Sequence, residues 1–303
     1  MGIPTSVLES WKQEGPVQTS SDTLGVIKRA LDSDRSALSQ FEHSYKVHLQ
    51  GSYKNTTNTI NSEADVDIVV KCTGPWTRNL DDLSPAEQER YENWVTSSDY
   101  NSRDFRDDVL TSLKRYFNRG NVTNDNKAIK VDSEGTPLPR KADVVPCLQY
   151  RVYHSFPNPD DAQFTEGMWF KPPTEDRVII NYSLEHYEQG VDKMEATDGN
   201  YKETVRMFKK ARDFAVDRGH LEADVASSYF LECLLYNVDD GLFTESLRDR
   251  YESILGWLEI ADFSTFTEQS EMRPLFDSTD PDKWDTQSAE DTVAGLNELW
   301  EEW

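Results

Sequence analysis

Three aspartates on two apolar stretches have the chemistry of metal ligands. Asp65 and Asp67 flank Val66 in Ala64-Asp65-Val66-Asp67-Ile68-Val69-Val70, and Asp143 lies in Lys141-Ala142-Asp143-Val144-Val145-Pro146. On a strand, residues i and i+2 share a face, so Asp65 and Asp67 project together while Val66, Ile68 and Val70 turn to the core. Two carboxylates about 4 Å apart repel by roughly 4 kcal/mol at an effective dielectric near 20. A fold keeps such a pair where a cation neutralises it or one carboxyl holds its proton. Hard oxygen ligands suit Mg²⁺ or Mn²⁺. A lone charge among Val and Pro is costly unless it is paired or ligates metal, which makes Asp143 a natural third ligand. Three such groups can hold two ions, one on a nucleoside triphosphate and one on an attacking hydroxyl, the arrangement for in-line displacement. Asp143 is expected nearest the nucleophile.

Upstream stands Gln50-Gly51-Ser52. Glycine allows the backbone to approach a phosphate closely, and Ser52 offers a hydroxyl and an amide. No Gly-x-x-x-x-Gly-Lys-Ser/Thr occurs, so a P-loop is not the phosphate device. Downstream, Lys202, Arg206, Lys209, Lys210 and Arg212 cluster in a chain of net charge −24, with Glu203 the one acidic residue among them. Arg206 and Lys209, three apart, share a helix face. That face suits either an anion or plain solvent.

The elements that must position these groups follow from periodicity. Residues 4–42 read as helical, with Ser21 capping a run that carries Leu24, Ile27, Ala30 and Leu31. Residues 43–50 alternate Tyr45, Val47 and Leu49, a strand, and Gly51-Ser52 should open a short helix or turn. A second strand covers 64–71. Residues 75–120 read as a helical insertion, one helix opened by Ser84-Pro85 and another carrying Phe105, Val109, Leu113 and Phe117. Strands are expected at 127–131, 142–153, 164–171 and 177–182. Beyond Ser183 the pattern is helical, over 201–218, 222–238, 242–260 and 289–303. The fold class is α+β.

Composition narrows the function. At 303 residues with 36% hydrophobic and 11% aromatic content, the chain can build full cores. It has 56 acidic against 32 basic residues, a field that repels nucleic acid and anionic lipid, so neither stable nucleic-acid binding nor a membrane role is expected. No run of about 20 apolar residues occurs. Cys72, Cys147 and Cys233 are far apart and odd in number, as buried free thiols in a reducing cytoplasm would be.

Three blocks carry a family resemblance: Gln50-Gly51-Ser52 through Asp65-Val66-Asp67, Ala142-Asp143-Val144-Val145-Pro146-Cys147, and Tyr201 to Lys210 followed by Ser227-Ser228-Tyr229 to Val238. They resemble the DNA-polymerase-β nucleotidyltransferase superfamily, and within it the cGAS/DncV-like nucleotidyltransferases of bacterial anti-phage signalling. The resemblance implies a polymerase-β-like catalytic lobe with a twisted mixed sheet over residues 1–182, including the insertion at about 75–120. An all-helical lobe over 183–303 would close the nucleotide cleft. It also implies that Lys209 binds the donor triphosphate, Ser228 hydrogen-bonds phosphate and Tyr229 stacks on a base. Gln50, Gly51, Ser52 and Arg206 would be further nucleotide-binding residues.

The implied activity is condensation of nucleoside triphosphates into a cyclic di- or trinucleotide messenger, with release of pyrophosphate. Two Mg²⁺ or Mn²⁺ ions would assist, and an effector protein would read the product. The zinc element of the animal relative has no counterpart here, as the histidines are scattered and the cysteines isolated. Two other readings stand beside this one. An RNA or tRNA terminal nucleotidyltransferase, or a linear oligonucleotide synthase, would need a basic face that the net charge opposes. An inactive NTP-binding sensor is opposed by the presence of all three aspartates.

Overall fold

The computed structural model describes residues 2–15, 17–40, 44–60, 65–280 and 283–303. By contacts the chain divides into two units, Val17–Tyr53 with Ala64–Leu184, and Met1–Pro16 with Lys54–Glu63 and Glu185–Trp303. Two stretches of the first 182 residues thus group with the helical unit.

The strand-rich unit is built on one mixed sheet. Its strands are β1 (Tyr45–Leu49), β2 (Val66–Asn79), β3 (Val122–Asn124), β4 (Ile129–Val131), β5 (Ala142–Ser155), β6 (Gln163–Phe170) and β7 (Ile179–Asn181). They run in the order β1-β2-β5-β4-β3, with β6 on β5 and β7 on β6. Only β2 and β5 pair in parallel; their neighbours are antiparallel. The even-numbered residues Val66, Ile68, Val70 and Cys72 of β2, with Ala142, Val144 and Leu148 of β5, enter one core. Onto it pack α2 (Gln18–Leu31), through Val26, Ile27, Ala30 and Leu31, and α5 (Ser102–Phe117), through Phe105, Val109, Leu113 and Phe117. Full burial of one such large side chain is worth roughly 1.5–3 kcal/mol, so these rows fix the helices to that face. Strand alternation then leaves Asp67 and Asp143 for the opposite face.

Local chemistry sets the ends. Asn101 caps α5, its side chain accepting from the Arg103 and Asp104 amides at 2.9 and 3.3 Å. Ser84 and Glu87 form the capping box of α4 (Pro85–Trp94), as Ser84-Pro85 indicated. The expected Ser21 cap is not used: α2 begins three residues earlier, at Gln18. Residues 75–79, expected in the helical insertion, instead continue β2, where Trp76–Asn79 pair with Gln149–Val152 after a register shift. The shift accommodates Pro75, which has no N–H for the ladder. His43 and Ala64, the first residues of two expected strands, lie outside the described residues.

The helical unit contains α1 (Thr5–Trp11), most of α6 (Ser183–Ala196), α7 (Asn200–Arg218), α8 (Ser228–Tyr236), α9 (Leu247–Leu258) and α10 (Thr286–Glu302). Tyr201, Val205, Phe208, Ala211 and Ala215 of α7 meet Phe230, Leu231, Leu234 and Leu235 of α8 in its core. α8 starts at Ser228, not at 222. The C-terminal tail packs inward, Trp300 stacking on Tyr251 at 4.9 Å and Trp303 standing edge-on to Trp11 at 5.6 Å. No helix among the described residues is long and apolar enough to cross a bilayer.

Candidate active site

The parallel register of β2 and β5 sets Asp67 directly opposite Asp143. Asp65 stands two residues ahead of Asp67, half-buried like the other two. The three aspartates form one electrostatic group. Burial, then the charges of Asp143 and Asp65, push the Asp67 carboxyl up from the usual carboxylate range to about 7. Burial, then Asp65, also raises Asp143, with Lys130 on the neighbouring strand opposing the shift. Among the described residues no Lys, Arg or His forms an ion pair with any of the three, and Asp143 Oδ1 is buried without a hydrogen-bond donor. Lys130 is engaged by Asp125 at 2.9 Å. Further along the same face, by contrast, Glu166 is neutralised by Lys71. An acceptor oxygen with no donor, beside two more carboxylates, fits a cation from outside the chain.

No group of three or more His, Cys, Asp or Glu side chains among the described residues meets the geometry of a ready-made metal cage. Mg²⁺ keeps waters and takes substrate phosphate oxygens, so such a site need not be an all-protein cage. A cavity of about 820 Å³ beside the start of α5 includes none of the three aspartates, so cavity size does not locate this chemistry.

Gly51 meets the aspartates from β1. The Gln50 amide donates to the Asp67 carbonyl at 2.9 Å, and the chain turns at Gly51, φ +65°, into α3 (Gly51–Asn55). A Cβ on Gly51 would lie 2.3 Å from Asp67 Oδ2, so any other residue here would displace that carboxylate. The Ser52 side chain is half-buried and makes no hydrogen bond among the described residues. Gln50, Gly51, Ser52 and the three aspartates all lie in the strand-rich unit.

The remaining expected site residues lie in the helical unit, and the basic ones face inward. Lys209 is 3% exposed; its ammonium pairs with Glu232 and donates to the Thr57 carbonyl and hydroxyl at 3.2 and 3.1 Å. Arg206 donates to the carbonyls of Lys12 and Thr56. Ser228 is exposed at the start of α8, while Ser227 caps that helix by accepting from the Phe230 amide at 3.1 Å. Tyr229 stacks on His186 at 5.1 Å and on Trp284 at 6.0 Å.

Two further cations were not assigned to nucleotide binding from the sequence, although Lys202 belongs to the basic cluster and Lys54 follows Ser52 by two residues. Lys54 Nζ sits 3.8 Å above the Tyr187 ring and Lys202 Nζ 5.4 Å from it, and neither makes a hydrogen bond or ion pair among the described residues. Glu232 was also missed. The signal was present, a single carboxylate inside the apolar run Tyr229-Phe230-Leu231-Glu232-Cys233-Leu234-Leu235, the same anomaly that singled out Asp143.

The chain is similar to several known proteins. Residues 188–301 match the family model for the cGAS/DncV-like nucleotidyltransferase C-terminal helical domain. A cyclic UMP-AMP synthase of Rhodothermus marinus is 40% identical over all of this chain and 99% of its own length. A cyclic nucleotide synthase of Staphylococcus haemolyticus, CdnE01, is 36% identical with both chains fully covered. The solved structure of Rhodothermus marinus CdnE c-UMP-AMP synthase with Apcpp and Upnpp superposes with a TM-score of 0.86, covering 99% of this chain and 97% of that one at 37% identity.

Proposed function

The chain belongs to the cGAS/DncV-like nucleotidyltransferases, enzymes of cyclic nucleotide synthesis, and from that membership we propose that it joins ATP and UTP into a cyclic dinucleotide. The choice of these two substrates is supported by its 40% identity to a cyclic UMP-AMP synthase. Membership implies a divalent metal, and we assign two Mg²⁺ ions to Asp65, Asp67 and Asp143. When bound, they would supply charge stabilisation at the attacking and leaving oxygens.

The residues of this chain do the rest. The Ser52 hydroxyl and the backbone at Gly51 hold the donor triphosphate. A sugar hydroxyl of the second nucleotide attacks the donor α-phosphorus; the new P–O bond forms as the bond to the β-phosphate oxygen breaks and pyrophosphate leaves. Asp143, nearest the attacking hydroxyl, takes its proton. A second such displacement closes the ring, so each product releases two pyrophosphates. In the helical unit, Lys54 and Lys202, which make no ion pair among the described residues, are cations for phosphate, and the exposed Ser228 hydroxyl is a further donor. Tyr229 is the aromatic assigned to a base, which would take the place of His186 or Trp284 against its ring, a stack worth about 1–3 kcal/mol. Lys209 and Arg206 serve nucleotide binding through the turn they hold. The product would act on a separate effector protein rather than on nucleic acid.

The observation that carries this reading is the unpartnered Asp143 Oδ1 in register with Asp67. The test is incubation of purified protein with each NTP pair and Mg²⁺ or Mn²⁺, resolving phosphatase-resistant products. The ATP and UTP pair should give a cyclic product, and Asp65→Ala with Asp67→Ala should abolish it with the fold intact. Turnover surviving in that double variant would refute the assignment.

A further inference from the structure

Glu232 is 4% exposed, and its two oxygens are saturated. Asn55 Nδ2 donates to Oε2 at 3.1 Å and Thr57 Oγ1 to Oε1 at 2.6 Å. His186 Nε2 reaches Oε2 at 3.0 Å, and Lys209 forms the ion pair at Oε1. A carboxylate has about four acceptor sites, so all are used. Burial alone would raise its pKa, but Lys209 and His186 outweigh that and hold the carboxyl far below its usual range. It is a buried carboxylate held by four donors.

What this anion grips is a short turn. Between Asn55 and Thr57 stands Thr56, at φ +58°. A β-branched residue in the left-handed region is an outlier that persists only where its surroundings impose it. They do so here from two helices. Arg206 of α7 donates to the Thr56 carbonyl and Lys209 to the Thr57 carbonyl, while Glu232 of α8 takes the Asn55 amide and the Thr57 hydroxyl. The turn closes α3, whose other end is Gly51-Ser52, so its conformation sets where that one-turn helix ends. A buried ion pair is a poor source of stability compared with packed apolar residues, so its use here points to geometry.

We propose that Glu232 is a positioning residue: through Asn55 and Thr57 it fixes the strained turn that closes the Gly51–Asn55 helix, with Lys209 as its cationic partner and Arg206 holding the Thr56 carbonyl beside it. It touches no reacting atom. This rests on the nucleotidyltransferase reading above, in which Ser52 holds the donor triphosphate.

The test is a double-mutant cycle of Thr57→Val and Glu232→Gln, read as kcat/KM for NTP consumption and, separately, as Tm. Thr57→Val leaves the Glu232–Lys209 ion pair in place. It should lower kcat/KM about tenfold to a hundredfold, the scale of one hydrogen bond to a charged group. In the Glu232→Gln background the same substitution should cost at least threefold less than in the wild type, because the charged acceptor has become a neutral amide oxygen. Should Glu232→Gln fail to fold, Glu232→Asp, which keeps the charge but retracts it by one methylene, replaces it in the cycle. Independent, multiplicative losses in kcat/KM, or losses that follow Tm alone across the variants, overturn the proposal. Wild-type protein that consumes no NTP pair overturns the functional reading instead.

Discussion

Gly51→Ala tests the link from one backbone angle to catalysis. Gly51 holds φ +65°, which costs an alanine roughly 1–2 kcal/mol. The added Cβ would also stand 2.3 Å from Asp67 Oδ2, where a side-chain carbon is not found under 3.0 Å, so the carboxylate must retreat by at least 3.0 − 2.3 = 0.7 Å. A side-chain carboxylate yields easily, so little of the collision falls on stability. It falls on the geometry of the trio. A misplacement near 1 Å in a positioned group costs on the order of 10²-fold in rate.

Gly51→Ala should therefore lower kcat about 100-fold. The backbone term should lower Tm by about 2–4 °C per kcal/mol, the scale for a domain of this size. Gly135→Ala is the control: φ there is +68° and nothing lies within 4 Å of the new Cβ, so Tm should fall comparably with kcat unchanged. The assays are pyrophosphate release at saturating NTP and a thermal melt. Gly51→Ala with kcat within about threefold of wild type, or Gly135→Ala with the same loss, would refute the reasoning.

Asp67, raised to about 7 in the fold and ionising near 4 when unfolded, favours the folded state below about pH 4 and loses that contribution as pH rises through 7. A divalent cation needs the ionised carboxylate, so Mn²⁺ should raise Tm more at pH 8 than at pH 6; an equal gain at both would count against the ligand assignment. Lys209→Met strands a buried carboxylate and should destabilise by about 3–5 kcal/mol, read by denaturant unfolding. A change under about 1 kcal/mol would mean that the Glu232–Lys209 pair is not what it looks like.

The sequence by itself was sufficient for the three candidate carboxylates and the elements that carry them. Asp65, Asp67 and Asp143 stand out because a charge in a run of β-branched residues is a local contradiction, visible without coordinates. The period-2 and period-4 patterns located β2, β5 and α5 for the same reason: burial writes a period into the chain. The extension of β2 through Pro75–Asn79 was not legible, since it depends on a register shift against β5.

Only the tertiary structure decided what the basic residues of α7 do. A lysine facing solvent and a lysine facing a buried glutamate look alike in sequence. Whether Lys209 or Lys202 is free depends on Glu232, on Thr57 and on a turn about 150 residues upstream. Charge declares itself locally, but its partner is a long-range fact, fixed when the core closes.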